Sequence, residues 1–295
     1  MKAAAMTHLT THTNATAFLR NSQAWLEQEE ATNSLILGLA LRLVEEPQAW
    51  SNDLYLATVS DASRPSLAAL MTPPYNLILA GEPEAAVAIE LLADDLIQKR
   101  WSVAGMMGPN RLVESFVSFW QRRKAGKARQ GSSQRLYRLE EVIDPAYSPG
   151  RLRWAEEADA ELVLQWMEGF REEATPEGPR LSPATAHGRI AERSVFLWED
   201  NGPACMAVKT RPTRHGVSVS WVYTPPERRR RGYASSCVAS LSRQLLNAGF
   251  EYCTLFTNLN NPTSNHIYQQ IGYRPLCDFL EVRFDSRAID LVRRA

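Results

Sequence analysis

The feature that most constrains the fold is an order of predicted elements that occurs twice. Before and after the segment VIDPAYSPG at 142–150, hydrophobic periodicity predicts helix, helix, three strands, helix, strand, helix and strand. Proline and glycine interrupt both periodicities within that segment, which is typical of a linker. A repeated order of this kind indicates two related domains that arose by duplication.

The sequence therefore predicts an α/β chain of two domains. We expect a disordered tail at 1–14, a first domain at 15–141, the linker at 142–150 and a second domain at 151–295. A length of 295 residues suits two domains better than one. His8 and His12 lie four residues apart in the Thr-rich tail, where we expect disorder rather than a metal site.

The composition favours a cytoplasmic protein without a broad basic face. Lys plus Arg and Asp plus Glu both total 33, whereas a nucleic-acid-binding domain usually carries excess positive charge. No apolar run approaches the roughly 20 residues of a membrane helix, and we expect no secretory signal. The cysteines form no CxxC pair, so we expect buried reduced thiols at Cys205, Cys237, Cys253 and Cys277.

Four consecutive arginines, Arg228 to Arg231, lie between a strand and a helix of the second half. The alternating run VSVSWVYT predicts the strand, and an amphipathic helix from about 234 to 248 ends before Gly249. Unpaired N–H groups and the helix dipole favour a phosphate at such a turn. Gly232 permits a backbone geometry closed to other residues, and arginine side chains add charge-assisted hydrogen bonds.

The first half differs at the corresponding turn. It has GEPEAAVA, which is acidic and lacks a glycine at the start of the helix. If one half binds an anion, we therefore expect it to be the second.

Two segments carry a resemblance to a known family. Arg229, Gly232 and Ala234 fit the pattern Q/R-x-x-G-x-G/A, and residues 151–285 resemble the GCN5-related N-acetyltransferase (GNAT) family, in which this loop holds the pyrophosphate of acetyl-CoA. The segment TNLNNPTSNHIYQQIGYRP resembles the later family motif, an asparagine loop followed by a tyrosine-bearing helix and a GY pair. The resemblance implies two GNAT-like domains, the first degenerate, each with a mixed central sheet flanked by helices.

The resemblance also implies contacts to the co-substrate. In the family, the strand before the loop splays from its neighbour and leaves main-chain groups free for the pantetheine arm. The strand residues implicated in this way are Val222, Tyr223 and Thr224. The pyrophosphate loop adds Arg229, Arg230, Arg231, Gly232, Tyr233, Ala234 and Ser235, and the later motif adds Asn258, Asn261 and Asn265 as candidates for cofactor or loop contacts.

Tyr268 is implied to be the general acid that protonates the departing CoA thiolate. Its alternative role is that of a core tyrosine packed beside Ile267 and Ile271. For Cys237, the position within a helix and the absence of an adjacent histidine argue against a covalent acyl-enzyme.

The implied reaction is direct transfer of an acetyl group from acetyl-CoA to a primary amine, without a metal. The general base stays open, because Ser218, Ser220 and Trp221 stand where many relatives have a strand glutamate. Glu172, Glu173, His215 and a water are the alternatives, and Glu173 is the base that we predict.

The layout resembles glycine N-acyltransferase-like proteins, which favours a small-molecule amine or amino acid as acceptor. We expect a monomer or homodimer that binds neither nucleic acid nor membrane. Two rival functions remain, a non-catalytic acyl-CoA-binding regulator and a nucleic-acid-binding protein that uses Arg228 to Arg231. The latter predicts affinity that falls steeply with salt.

Overall fold

The structure, a computed structural model, describes residues 7–47, 53–62, 64–123, 127–176 and 178–284. The chain divides into two units between Arg135 and Leu136 and again between Leu276 and Cys277. The first unit therefore contains the N-terminal part of the chain together with its last strand. Within the described residues, no helix is long and apolar enough to cross a membrane.

The N-terminal half contains ten regular elements in the described residues. They are β1 (Thr7–Thr11), α1 (Ala15–Leu26), α2 (Ser34–Glu45), β2 (Tyr55–Asp61), β3 (Arg64–Met71), β4 (Leu77–Gly81), α3 (Ala86–Gln98), β5 (Gly105–Pro109), α4 (Asn110–Arg123) and β6 (Ala128–Leu139).

The C-terminal half repeats this order. Its elements are β7 (Arg151–Trp154), α5 (Ala160–Ala174), α6 (Pro183–Ala191), β8 (Val195–Glu199), β9 (Pro203–Thr210), β10 (Gly216–Tyr223), α7 (Tyr233–Asn247), β11 (Tyr252–Asn258), α8 (Pro262–Ile271) and β12 (Arg274–Phe284).

Strand pairing repeats as well as element order. Strands β1 to β4 form an antiparallel series, and β4 then pairs in parallel with β5. Strands β7 to β10 form the same antiparallel series, and β10 pairs in parallel with β11. The predicted duplication of a mixed sheet is therefore present in the backbone hydrogen bonding.

The last strand of each half completes the sheet of the other unit. Strand β12 pairs antiparallel with β5, from Phe279↔Pro109 to Arg283↔Gly105, inside the first unit. Strand β6 is the neighbour of β11, and its Tyr137 and Leu139 belong to the core of the second unit. Each unit thus includes a strand that belongs, in the repeated order of elements, to the other half of the chain.

The predicted domain bounds stay a prediction, and the two units differ from them at these exchanged strands. Residues 136–141, predicted in the first domain, lie in the second unit, whereas 277–284, predicted in the second domain, lie in the first unit. The physical reason is strand pairing between residues far apart in sequence, which local periodicity does not encode.

The prediction of a disordered tail at 1–14 is wrong for 7–11. These residues form β1, which pairs with β2 from Thr7↔Asp61 to Thr11↔Ala57, and Leu9 packs on the first core. His12 shares a hydrogen bond of 2.9 Å between its Nε2 and Thr58 Oγ1. Residues 1–6 lie outside the described residues.

Candidate functional site

Strand β10 separates from β11 along its C-terminal half. The parallel pairing covers three positions and ends at Ser218↔Thr254. Beyond them β10 continues to Tyr223 and β11 to Asn258. Parallel strands that part in this way leave main-chain groups of β10 facing the gap, as the resemblance implies for Val222, Tyr223 and Thr224.

A β-bulge lies in the same part of β10. Its register on β9 shifts between Ser220 and Tyr223, and Trp221 has a φ of 51°. A bulge bends its strand and re-aims the side chains that follow. Here it places both Trp221 and Tyr223 against the core beneath α5 and α6, whereas Val222 packs on the opposite core with α7.

The turn between β10 and α7 has the geometry of an anion site. Gly232 caps α7 in the left-handed region, with a φ of 77° and a ψ of 2°, and its carbonyl accepts the first helical bond, from Ser236 N at 3.0 Å. The N–H groups of the first helical turn have no acceptor within the helix and carry its positive dipole. Side chains are exposed at Arg229, Arg230 and Arg231.

The remaining predicted loop residues belong to the first turn of α7. The Tyr233 side chain is buried, and its hydroxyl donates to Asp200 Oδ2 at 2.6 Å. Ala234 and Ser235 are half-buried. Tyr233 and Ala234 can therefore contact an anion only through their backbone N–H groups, whereas Ser235 also has a hydroxyl.

Ser148, from the predicted linker, forms hydrogen bonds on both sides of Gly232. The sequence did not predict this role. The Oγ of Ser148 donates to Arg231 O at 2.5 Å, and its N donates to Ser236 Oγ at 2.8 Å. A Cβ on Gly232 would lie 2.7 Å from Ser148 Oγ. The segment 142–150 has no regular structure, yet at Ser148 it is fixed to the start of α7. No local pattern in the sequence indicates this contact.

Arg229 connects the loop to α5 rather than pointing freely at the turn. Its Nε donates to Thr224 O at 2.9 Å, and its NH2 donates to Glu173 Oε1 at 2.5 Å. The guanidinium also lies over the ring of Tyr223, 5.8 Å from the centroid. The structure therefore brings together Arg229 and Glu173, for which the sequence predicted separate roles.

Thr224 supplies an unsatisfied group beside the loop. Its Oγ1 is buried, and it has no hydrogen-bond partner in the described residues. Buried hydroxyls are usually paired. Thr224 Oγ1 is thus suited to a ligand group that enters the gap between the strands.

The three predicted asparagines organise their own loop. Asn261 caps α8 by accepting from Ser264 N at 3.0 Å, and Asn258 Oδ1 accepts from Asn260 N at 2.8 Å. Asn265 Nδ2 donates to both Asn258 O and Asn261 O. Tyr137 of β6 donates to Asn265 Oδ1 at 2.8 Å, a contact that sequence reasoning also missed.

Tyr268 lies in the core of the second unit, 7% exposed. Burial is the main cause that raises the pKa of its phenol above the usual value, and the nearby thiols of Cys205 and Cys237 add to the effect. The hydroxyl therefore keeps its proton at neutral pH, as a general acid must. The environment is equally that of a core tyrosine, so its catalytic role stays a prediction.

The alternative chemical groups are less suited to catalysis. Cys237 is fully buried, and the adjacent Cys205 thiol together with burial raises its pKa, which disfavours the reactive thiolate. Glu172 pairs with Arg171 at 3.3 Å. Within the described residues, no group of three or more His, Cys, Asp and Glu side chains could hold a metal ion.

Comparisons with known proteins agree with this geometry. Residues 204–281, from β9 into β12, match the family model described as FR47-like protein. A GCN5-related N-acetyltransferase from Sphaerobacter thermophilus superposes with a TM-score of 0.61 at 12% identity, covering 94% of this chain and 95% of that one. No curated protein matches the chain.

Two further solved structures match over nearly the whole chain. A Drosophila protein gives a TM-score of 0.64 at 14% identity, over 94% of this chain and 98% of that one. A tandem GNAT protein from the clavulanic acid biosynthesis pathway gives 0.55 at 11% identity, over 95% and 98%. The chain has the GNAT fold. The prediction of an α/β chain with two GNAT-like domains is confirmed, and the glycine N-acyltransferase-like layout stays a prediction.

Proposed function

We propose that the protein is an N-acetyltransferase that moves an acetyl group from acetyl-CoA directly to a primary amine of a small molecule or amino acid. The observation that carries the proposal is the continuous path from the gap between β10 and β11 to the left-handed Gly232 at the start of α7. A long thioester with a pyrophosphate at one end fits such a path, because extended main chain and helix N–H groups follow each other along it.

The turn at Gly232 supplies the phosphate end of the site. We assign the pyrophosphate to the backbone N–H groups from Arg231 to Ser235, and the exposed Arg230 and Arg231 add positive charge. Arg229 holds Thr224 and Tyr223 in place through its three contacts, so its part is to fix the strand end beside the pantetheine arm.

The chemical step needs few side chains. The amine nitrogen attacks the thioester carbonyl carbon, a main-chain N–H of β10 stabilises the oxygen, and the C–S bond breaks as the C–N bond forms. The thiolate takes a proton from Tyr268, and the amine releases one to a water or a base. Glu173 stays the predicted base, although its ion pair with Arg229 competes for that role.

The second candidate function is a non-catalytic acyl-CoA-binding regulator. The observation that favours it is the ion pair of Glu173, together with Ser218, Ser220 and Trp221 at the strand positions where a base is expected. Such a regulator would keep the Gly232 turn and lose turnover.

One experiment separates the two functions. Purified protein is mixed with acetyl-CoA and a panel of small amines, amino acids and peptides, and released CoA thiol is measured. We expect release above the no-acceptor control with at least one small amine. CoA binding without thiol release from any acceptor would support the regulator and contradict the enzyme.

We also propose a cytoplasmic protein that works as a monomer or homodimer and binds neither nucleic acid nor membrane. The balanced charge of the chain supports this proposal, as does the use of Arg229 in an internal ion pair.

A further inference from the structure

Arg211 is an unpaired cation in the second unit. It directly follows β9 and has a φ of 47°, a conformation that bulky residues rarely adopt. Its Nε is buried and has no hydrogen-bond partner in the described residues. The charge that acts on it there is a second cation, Arg189 of α6.

This environment disfavours the charged form of Arg211. Burial, with the positive charge of Arg189, lowers the pKa of Arg211 to about 10. The Arg211 residue as a whole is half-buried, whereas its Nε is buried and has no partner in the described residues. A guanidinium nitrogen removed from water in this way is normally compensated by a hydrogen-bonding anion. Arg189 itself pairs with Glu192 at 3.3 Å. The site therefore has surplus positive charge that an entering anion would neutralise.

Arg211 is close in the sheet to the place where β10 leaves β11. The residue before it, Thr210, pairs with Ser218, the last position of β10 in register with β11. Thr210 Oγ1 donates to Ser218 O at 3.4 Å, and the Ser218 and Thr254 hydroxyls share a hydrogen bond of 2.8 Å. These hydrogen bonds join Thr210, which directly precedes Arg211, to the last paired residues of β10 and β11.

The alternation of side chains along β9 shows on which face of the sheet Thr210 lies. Met206 and Val208 of β9 pack in the core beneath α5 and α6, and side chains two residues apart on a strand share a face. Thr210 is therefore on this face. Arg211 follows it with a positive φ that ends the strand alternation, and the charge that acts on Arg211 is that of Arg189 in α6.

We propose that Arg211, supported by Arg189, binds the carboxylate of the acceptor, so that the acceptor is a small amino acid with a free carboxylate. The inference rests on the proposed function. At about 3.3 Å per strand residue, Ser220 is roughly 10 Å along β10 from the position opposite Arg211, a distance that an arginine side chain and an amino acid together span. A guanidinium matches a carboxylate with two parallel hydrogen bonds.

The reaction leaves this carboxylate unchanged. The amine nitrogen of the acceptor bonds to the acetyl carbon, the CoA sulfur leaves with a proton, and the amine loses one. The role of Arg211 is to orient the acceptor, so its loss should raise KM for amino acids much more than it lowers kcat.

The test measures binding to the CoA-loaded protein by calorimetry. The probes are glycine, alanine, phenylalanine and glutamate, each compared with its α-amide, and inorganic phosphate is the competing anion. We expect at least one free acid to bind about ten- to a hundredfold tighter than its amide. Arg211→Gln should abolish that preference. Arg214→Gln, which removes an exposed cation from the same turn, should keep it.

Several outcomes would overturn the proposal while CoA binding still upholds the proposed function. They are equal affinity for acids and amides, absence of binding by every acid, an unchanged preference in Arg211→Gln, and phosphate binding as tight as that of the best acid. Melting temperature gives an independent readout. Removing an unpaired cation should leave the ligand-free protein as stable or more stable, and a lower melting temperature for Arg211→Gln would assign the residue to folding instead.

Discussion

The two units make the same strand-to-helix turn in two different ways. Between β10 and α7 the chain passes through a left-handed Gly232, and the first helical N–H groups lie beside exposed arginines. Between β4 and α3 the N-cap is Ala85, with a φ of −73°, and the turn carries the exposed carboxylates of Glu82 and Glu84. Negative charge at a helix start competes with a bound phosphate.

Backbone N–H groups of the turn between β4 and α3 also already donate hydrogen bonds within the protein. Glu82 N donates to Ser66 O, Ala85 N to Glu82 O and Ala86 N to Glu84 O. The first unit thus has the same order of strands and helices as the second, whereas its turn lacks the left-handed glycine and the exposed arginines. If the proposed function holds, a few residues at one turn determine which unit binds acetyl-CoA.

The largest loss of CoA affinity is expected when Gly232, in the turn between β10 and α7, is replaced by a residue with a side chain. Gly232→Val forces a β-branched residue into a φ of 77° and brings its Cβ to 2.7 Å from Ser148 Oγ. We expect CoA affinity, measured by calorimetry, to fall by more than about a hundredfold. The matched control is Gly188→Ala in α6, where an added Cβ meets nothing within 4 Å. CoA affinity equal to that of the control would contradict the phosphate-loop assignment.

The second prediction replaces Tyr268 by phenylalanine, the residue that the first unit has at the equivalent helix position. The seventh residue of α8 is Tyr268, and the seventh of α4 is Phe116, which is fully buried. Tyr268→Phe should lower kcat by about a hundredfold through loss of the general acid, with acetyl-CoA affinity unchanged. Steady-state kinetics at saturating acetyl-CoA measures it. An unaltered kcat would leave Tyr268 as a core tyrosine only.

A smaller loss of CoA affinity is expected when Ser148, which hydrogen-bonds to the loop, is replaced. Ser148→Ala removes the hydrogen bond to Arg231 O, which holds the peptide before Gly232. CoA affinity should fall roughly three- to tenfold, the value of one hydrogen bond. Ser240→Ala, in the same helix but farther from the turn, is the control. If the two variants bind CoA equally, Ser148 does not order the loop.

Alkaline pH should destabilise the core of the second unit. The core of the second unit contains Cys253, whose pKa burial raises to about 12 from an ordinary value of 9.0, and Cys237, whose pKa is raised as well. Because the folded state holds these protons more tightly, their stabilisation is complete below pH 9.0 and is lost as the pH rises toward 12.

Each such thiol should cost about 1.4 kcal/mol per pH unit above 9. Urea unfolding at pH 7, 9 and 10.5 measures the loss, and Cys253→Ala should reduce the pH dependence. A free energy of unfolding that does not change between pH 9 and 10.5 would contradict this assignment of buried thiols.

Much of the fold could be predicted because its signals are local. Hydrophobic periodicity predicted both sets of helices and strands, and Gly249, with a φ of 104°, follows the end of α7 as expected. Strands β1 and β7 were missed, since five and four residues are too few to establish a period of two. The exchange of β6 and β12 was missed because pairing partners lie far apart in the chain.

The candidate site also has a part that local sequence predicts and a part that depends on residues distant in the chain. The turn at Gly232 is a contiguous pattern and could be predicted, whereas its supports could not. Ser148 and Arg231 are 83 residues apart, and Glu173 and Arg229 are 56 apart. The unpaired Arg211 is a property of burial, for which a single sequence has no signal.

The most direct test of the difference between the two turns is the stoichiometry of CoA binding. Titration of the full-length protein with CoA in a calorimeter should give one site per chain, and Gly232→Val should remove it. Two sites per chain, or one site that survives Gly232→Val, would contradict the proposal that only the turn between β10 and α7 binds the co-substrate.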